Sequence, residues 1–262
     1  MRNVLLILVS LLCSSACAQT VSRDQVAQAL RDNPQLVFDA LKHDKSQLMD
    51  ILDQAVTERE EAERKEGQLR SLADPFKPEL SAGRIYLGAA DAPVTIVEYT
   101  DFLCGYCARG QATMHELLRR QPGKVRVYFK HFPVRPGSLE PAVVFEALAQ
   151  QNPDAAWKFA DLAFGNQQAL ANGSGRGIAA ILASLGPAFK VDATRLKKDM
   201  ESPALRARIE ADVAEARRFG VEGTPTYLVN GVPVRGAVPV EEFEDLMQLL
   251  EQKNTTGMVA KP

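Results

Sequence analysis

Apolar residues along this chain repeat at two different periods. From Val21 to Arg70 the spacing is helical: Val26, Ala29 and Leu30 share one face, Leu36, Val37, Ala40 and Leu41 the next, and Leu48, Ile51, Leu52, Ala55 and Val56 a third. Asn33-Pro34 reads as an N-cap followed by a first-turn proline, and Asp44 with Gln47 three residues on as another helix start. Glu58 to Glu66 is almost wholly charged, with Glu60–Arg64 and Glu61–Lys65 at favourable i,i+4 spacing, the pattern of a solvated helix. A helix from Lys45 to Arg70 would extend about 40 Å at about 1.5 Å per residue, carrying the apolar stripes away from the rest of the chain. Stripes with so little around them predict a helical oligomerisation module over residues 19–72; the alternative is that they fold back on the main domain.

Residues 73–88 contain Asp74-Pro75, Lys77-Pro78 and Ser81-Ala82-Gly83 and are expected to be a linker. The pattern then shortens. Val94 to Thr100 is a strand, Cys107 to Arg120 a helix carrying Met114, Leu117 and Leu118, and Val125 to Lys130 a second strand. Next come helical stretches broken by Gly and Pro: Leu139–Gln150, Pro153–Phe164, Gly177–Leu185, Ala193–Met200 and Pro203–Phe219. Thr226–Val229 and Val232–Arg235 are strands joined by a tight Asn230-Gly231 turn, and Val240–Leu250 is a final amphipathic helix ahead of a flexible tail, 254–262.

Composition narrows the function. With 31 basic against 33 acidic residues, mixed throughout, there is no electrostatic case for nucleic acid. Residues 1–18 have Arg2, an apolar run from Val4 to Leu12 and the small-residue site Ala16-Cys17-Ala18, the composition of a secretory signal peptide cleaved before Gln19. Lipoprotein processing at Cys17 is the alternative. Removal of the leader takes Cys13 and Cys17 with it, so of four cysteines only Cys104 and Cys107 remain. In an oxidising, periplasmic setting a retained C-x-x-C pair is structural or catalytic. A staple closing so small a loop constrains the unfolded chain little, which favours redox chemistry.

The spacing assigns the roles. Cys104 falls at a helix N-terminus, where unpaired N–H groups and the positive dipole end favour a thiolate, so it should have a depressed pKa and attack. Cys107, one turn in and shielded, is the resolving thiol. The pair would pass between dithiol and disulfide through a mixed disulfide with a substrate protein, with no other cofactor. His43, His115 and His131 are scattered and expected to be surface or capping residues; no metal site is expected. Trp157 and Phe159 read as core or groove lining.

A strand feeding Cys104-Gly105-Tyr106-Cys107, with Gly223-Thr224-Pro225-Thr226 much later before a strand and an Asn-Gly hairpin, resembles the thioredoxin fold. The helical insertion, about 137–203, makes residues 89–253 similar to the DsbA-like branch of thiol-disulfide oxidoreductases. The expected fold class is therefore α/β, a thioredoxin fold with a helical insertion preceded by a small all-helical module. The resemblance implies that Thr224-Pro225 is a cis-proline loop that, with Gly105 and Tyr106, meets an extended substrate peptide. It also implies that Glu98, six residues before Cys104, is a buried acid moving the Cys107 proton; the bland alternative is an exposed edge-strand carboxylate. Cys-Gly-Tyr-Cys lacks the histidine of the strongly oxidising Cys-Pro-His-Cys relatives and is like the oligomeric isomerases, DsbC among them; the layout with a pattern such as DNPQLVFDAL is more similar to the ScsC proteins. The implied activity is disulfide isomerisation or reduction on unfolded or misoxidised exported proteins, by a dimer or trimer kept reduced by a DsbD-like membrane donor. The alternatives are a dithiol oxidase recycled by a DsbB-like oxidant, and a copper-binding or holdase protein using both thiols as ligands.

Overall fold

A computed structural model describes residues 22–81, 83–171 and 175–256, with the side chains of 254–256 left out. The expected signal peptide, with Cys13 and Cys17, lies outside the described residues, as does the tail beyond Thr256. The chain divides into two units, Met1–Glu63 and Arg64–Pro262.

The first unit is helical: α1 (Arg23–Asp32), α2 (Gln35–His43) and the start of α3 (Lys45–Ala73), within which the division falls. Ser22 and Gln25 close a reciprocal capping box on α1, and the Asp44 carboxylate accepts from the Gln47 N–H at 3.0 Å. Asn33 does not cap α2 through its side chain; its amide donates instead to the Ala29 carbonyl ending α1. Neither α1 nor α2 buries a residue, and Val26, Leu30, Leu36, Val37, Phe38 and Leu41 stand exposed.

The second unit is built on a five-stranded sheet of order β1 (Tyr86–Gly88), β3 (Val125–His131), β2 (Val94–Thr100), β4 (Thr226–Val229), β5 (Val232–Arg235). β2 and β3 run parallel and the other neighbours antiparallel. One face carries α4 (Gly105–Arg120) and α11 (Val240–Thr256): Met114, Leu117, Phe243 and Leu246 pack with Ile96, Val127, Tyr227 and Val229. The other carries α10 (Pro203–Arg218), whose Ala216 meets Val97, Tyr99 and Leu228. Between β3 and α10 the chain forms α5 (Leu139–Ala149), α6 (Pro153–Gly165), α7 (Gln167–Ala171), α8 (Arg176–Ser184) and α9 (Ala193–Met200). Phe145, Trp157, Phe159 and Phe164 of this insertion interlock with Phe102 and Phe129 beside the two cysteines, so Trp157 and Phe159 are core. Such interlocked rings bury large area with added edge-to-face attraction. None of the described helices is long and apolar enough to cross a membrane.

The structure corrects the expected boundary and linker. Leu72 is buried in the sheet–α11 core and Arg64 pairs with Glu242 at 3.0 Å, so the second unit starts before residue 72. Residues 73–88 are not a free linker. The Phe76 N–H donates to Gly231 at 3.0 Å, its ring stacks 4.8 Å from Phe219, and residues 86–88 form β1. Gly231 has a φ of 87°, and a Cβ there would stand 2.2 Å from the Phe76 oxygen, so the hairpin turn admits this segment only as glycine. Arg84 is buried and clasps Asp212 through both guanidinium ends at 2.7 and 3.0 Å, while also donating to the Phe129 carbonyl. Pro75 and Pro78 suit extended chain, and this segment runs from the Gly231 turn past Phe219 and the Glu215 carboxylate, which accepts from the Glu79 N–H at 2.8 Å, before β1.

Candidate active site

Strand β2 is central and buried on both sides, so Val94, Ile96 and Val97 satisfy its packing and deliver the chain to a tight loop at its C-terminal end. Asp101 organises that loop. One carboxylate oxygen accepts from the Leu103 N–H at 2.7 Å and the Ser138 hydroxyl at 2.5 Å; the other accepts from the N–H groups of Val134 and Arg135. Gln167 reaches in from the insertion and donates to the Phe102 and Cys104 carbonyls at 2.9 and 2.8 Å. Cys104 is thereby fixed as the N-cap of α4, with φ −87° and ψ 118°, and no side chain caps the first-turn N–H groups. The thiol itself occupies the capping position, where those N–H groups and the helix dipole favour negative charge.

Both thiols are free and buried, and they differ electrostatically. Burial pushes the Cys104 thiol up, but the Thr224 side chain, the Cys107 N–H and thiol and the Tyr106 N–H outweigh it, leaving Cys104 below the ordinary thiol value. Its Sγ lies 3.3 Å from the Thr224 carbonyl oxygen, and the Thr224–Pro225 peptide is cis. Cys107 is fully enclosed; burial and then the Glu98 charge drive its thiol well above the ordinary value.

Glu98 is 0 % exposed on the central strand, so the edge-strand alternative does not hold. Neither carboxylate oxygen lies in hydrogen-bond geometry with a partner; burial pushes its pKa to about 8, with the nearby Thr100 hydroxyl a weaker opposing influence. Because the folded value exceeds the unfolded one of 4.5, the folded state binds the extra proton. The associated stability is fully present below pH 4.5 and is lost as pH rises through 8. Glu98→Gln is therefore expected to stabilise the fold by about 3 kcal/mol at pH 7, and to flatten the decline of the urea midpoint between pH 5 and 8.

Of the other residues singled out from sequence, Gly105 opens α4 in solvent, and Tyr106 is 57 % exposed with the Arg109 guanidinium 4.3 Å over its ring. Pro225 is buried against the position a Gly110 Cβ would take, 3.3 Å away. His131 corrects its expectation: it is buried, its Nε2 is 3.0 Å from Glu146, and it belongs to the ionic cluster of Arg84, Lys130, Asp212 and Glu215. His115 joins Gln111 and Asp161 in a polar bridge from α4 to α6. Sequence reasoning missed three groups. Asp101 sits three residues before Cys104, and Tyr227 two after Pro225 in register with Glu98, so both had positional signals; Gln167, far off in the insertion, had none. Among the described residues, no cluster of three or more His, Cys, Asp or Glu is placed to hold a metal ion.

This arrangement, one thiol at a helix N-terminus favouring its anion and a second, enclosed thiol backed by an acid, is that of a thiol-disulfide oxidoreductase. A family model described as Thioredoxin matches residues 80–248, and the chain belongs to that family, in its DsbA-like branch. A probable disulfide bond formation protein D of Bacillus cereus is 32% identical over 151 residues, 55% of this chain and 69% of that protein. A Na(+)/H(+) antiporter NhaA of Herminiimonas arsenicoxydans is 34% identical over 166 residues, 63% of this chain but only 25% of the antiporter. Among solved structures, a thioredoxin-like oxidoreductase from Silicibacter pomeroyi superposes with TM-score 0.56 at 27% identity, covering 66% of this chain and 94% of that one. Proteus mirabilis ScsC shares the fold at TM-score 0.54 and 18% identity, covering 85% of this chain and 96% of that one, a larger share than the second unit alone contains.

Proposed function

We propose that this protein is an exported, periplasmic disulfide isomerase or reductase that works as a homo-oligomer through Cys104 and Cys107. The observation that carries the chemistry is the placement of Cys104 as the N-cap of α4 against the Thr224 carbonyl, with Cys107 and Glu98 enclosed behind it. The Cys104 thiolate attacks a substrate disulfide and forms a mixed disulfide. Glu98 then takes the Cys107 proton, and Cys107 attacks the Cys104 sulfur to release the substrate thiolate. Gly105, Tyr106, Thr224 and Pro225 form the surface that receives the substrate peptide. Isomerisation rather than oxidation is supported by the absence of a charged residue between the cysteines and by the exposed apolar faces of α1 and α2, which need a partner copy. Substrates would be unfolded or misoxidised exported proteins, and a DsbD-like membrane donor would keep the pair reduced.

A second reading is dithiol oxidase, favoured by the name of the Bacillus relatives, which refers to disulfide bond formation. Refolding of scrambled ribonuclease separates the two, using the mature chain and a chain beginning at Arg64, which keeps Leu72 and the Arg64–Glu242 pair. Loss of at least three-quarters of isomerase activity on truncation, with dithiol oxidation retained, is the expected result. Equal isomerase activity of a monomeric truncated chain would contradict it.

A further inference from the structure

Behind the cysteines stands a phenol that the exchange reaction does not use. Tyr227 of β4 is fully buried and is the cross-strand partner of Glu98 on β2, so the two side chains share the face of the sheet covered by α4. Its hydroxyl has reached the active-site helix itself: a Cβ on Gly110, one turn beyond Cys107, would stand 2.1 Å from the Tyr227 oxygen. The glycine is thus the opening that admits the hydroxyl. Its ring packs edge-on against Phe243 at 5.0 Å. In that position the hydroxyl has no hydrogen-bond partner, and neither do the two oxygens of Glu98. Buried hydroxyls and carboxylates are nearly always paired, and an unpaired one costs about 1–3 kcal/mol. Phenylalanine would fill the same space without that cost.

Resting on the oxidoreductase reading, we propose that Tyr227 is a positioning residue for the resolving step: its O–H is the donor that meets the Glu98 carboxylate when that group ionises, and so sets how often Glu98 can accept the Cys107 proton. The titratable groups facing Tyr227 are Glu98 from β2 and Cys104 and Cys107 from the start of α4; α11 packs apolar side chains, Phe243 and Leu246, in the same core. Burial first, then the Glu98, Cys107 and Cys104 charges, hold the phenol far above its ordinary pKa. It therefore stays protonated throughout and serves as a donor, never as a base.

In the resolving step Glu98, ionised and held by the Tyr227 O–H, takes the proton from Cys107. The Cys107 thiolate attacks the Cys104 sulfur of the mixed disulfide, the Cys104–Cys107 bond forms, and the bond from Cys104 to the substrate sulfur breaks. The electron pair leaves on the substrate sulfur as a thiolate. The protein dithiol is oxidised by two electrons and the substrate disulfide reduced by two, and the proton rests on Glu98. Without the phenol the ionised carboxylate keeps only the weaker Thr100 hydroxyl as a donor, Glu98 holds its proton to higher pH, and the base is available in fewer molecules at neutrality.

Reaction of the full reduced protein with 5,5′-dithiobis(2-nitrobenzoate) in a stopped-flow instrument reads the two steps separately. The first thionitrobenzoate released reports Cys104 attack and the second reports resolution by Cys107. For Tyr227→Phe the second release should slow about threefold at pH 7, its pH midpoint rising by about half a unit, while the first release keeps its rate and profile. Gly110→Ala, whose Cβ must displace the hydroxyl, should shift the second release in the same direction. Second-release profiles in Tyr227→Phe that superpose on the wild type would overturn the proposal, whether or not Gly110→Ala folds. A wild-type protein with no second release, or one whose first release survives Cys104→Ser, would instead overturn the oxidoreductase reading itself.

Discussion

Cys104→Ser is expected to lower turnover of a protein disulfide by about 10³-fold or more, to the level of the fold without a nucleophile. Cys107→Ser should lose turnover comparably while still attacking once. Geometry separates the two roles. Cys104 is the thiol at the helix N-terminus and beside the Thr224 carbonyl, and hydrogen bonds hold it toward the thiolate despite its burial. Cys107 is enclosed by α4, β2 and the insertion, with a carboxylate nearby that disfavours its anion. A thiol so placed cannot meet a folded substrate, yet lies within one helical turn of Cys104. Neither substitution removes a large apolar side chain, so thermal midpoints should move by only a few degrees, which separates lost chemistry from lost fold. Insulin reduction monitored by turbidity is the direct assay.

Arg84→Ala should be the most damaging change outside the site, lowering stability by about 3 kcal/mol or more. The fork that clasps Asp212 also lies 3.6 Å from Glu146 and donates to the Phe129 carbonyl. All of these groups are buried, and removing one partner leaves charges with little water to turn to. Asp212 retains Lys130 at 3.8 Å and the His131 N–H, which keeps the loss from being larger. For a domain whose net stability is about 5–15 kcal/mol, this is a large fraction, and the urea midpoint should fall with the slope unchanged. The same cluster sets the acid limit. Glu146 is buried, which pushes its pKa up, but His131, Arg208 and Arg84 pull it below its ordinary value; burial also pushes Glu215 up, and Lys130 and Tyr99 pull it below. Their contribution is present above the unfolded carboxylate value and is lost as pH falls through the folded ones, the opposite sense to Glu98.

Periodicity and turn chemistry made much of this fold readable. The β2 run into Cys104, the Asn230-Gly231 hairpin and the helical stretches are local patterns, and the structure returns them within a few residues. Asn230 and Gly231 have φ values of 47° and 87°, the conformation that this dipeptide favours. What escaped depends on partners remote in sequence. β1 is three residues long in a Pro- and Gly-rich stretch, and only pairing with β3 makes it a strand. Arg84 looks like an ordinary loop cation until Asp212, 128 residues away, is brought to it. In the site, Cys104 and Cys107 were legible from their spacing, and Thr224-Pro225 from the resemblance to the thioredoxin fold. From the residues alone Glu98 is an oddity on an apolar strand, and its burial was implied only by the resemblance; that β2 is central, and the acid therefore buried, is a property of strand order. Tyr227 reads as one more aromatic in a strand, and its meaning comes from Gly110 across the packing interface.

That Cys104 attacks and Cys107 resolves is tested most directly by incubating Cys107→Ser with a disulfide-containing protein substrate, followed by non-reducing electrophoresis and peptide mass mapping. A stable adduct is expected, released by dithiothreitol, with the substrate cysteine joined to Cys104. Accumulation of an adduct through Cys107 in Cys104→Ser, with none in Cys107→Ser, would contradict these roles.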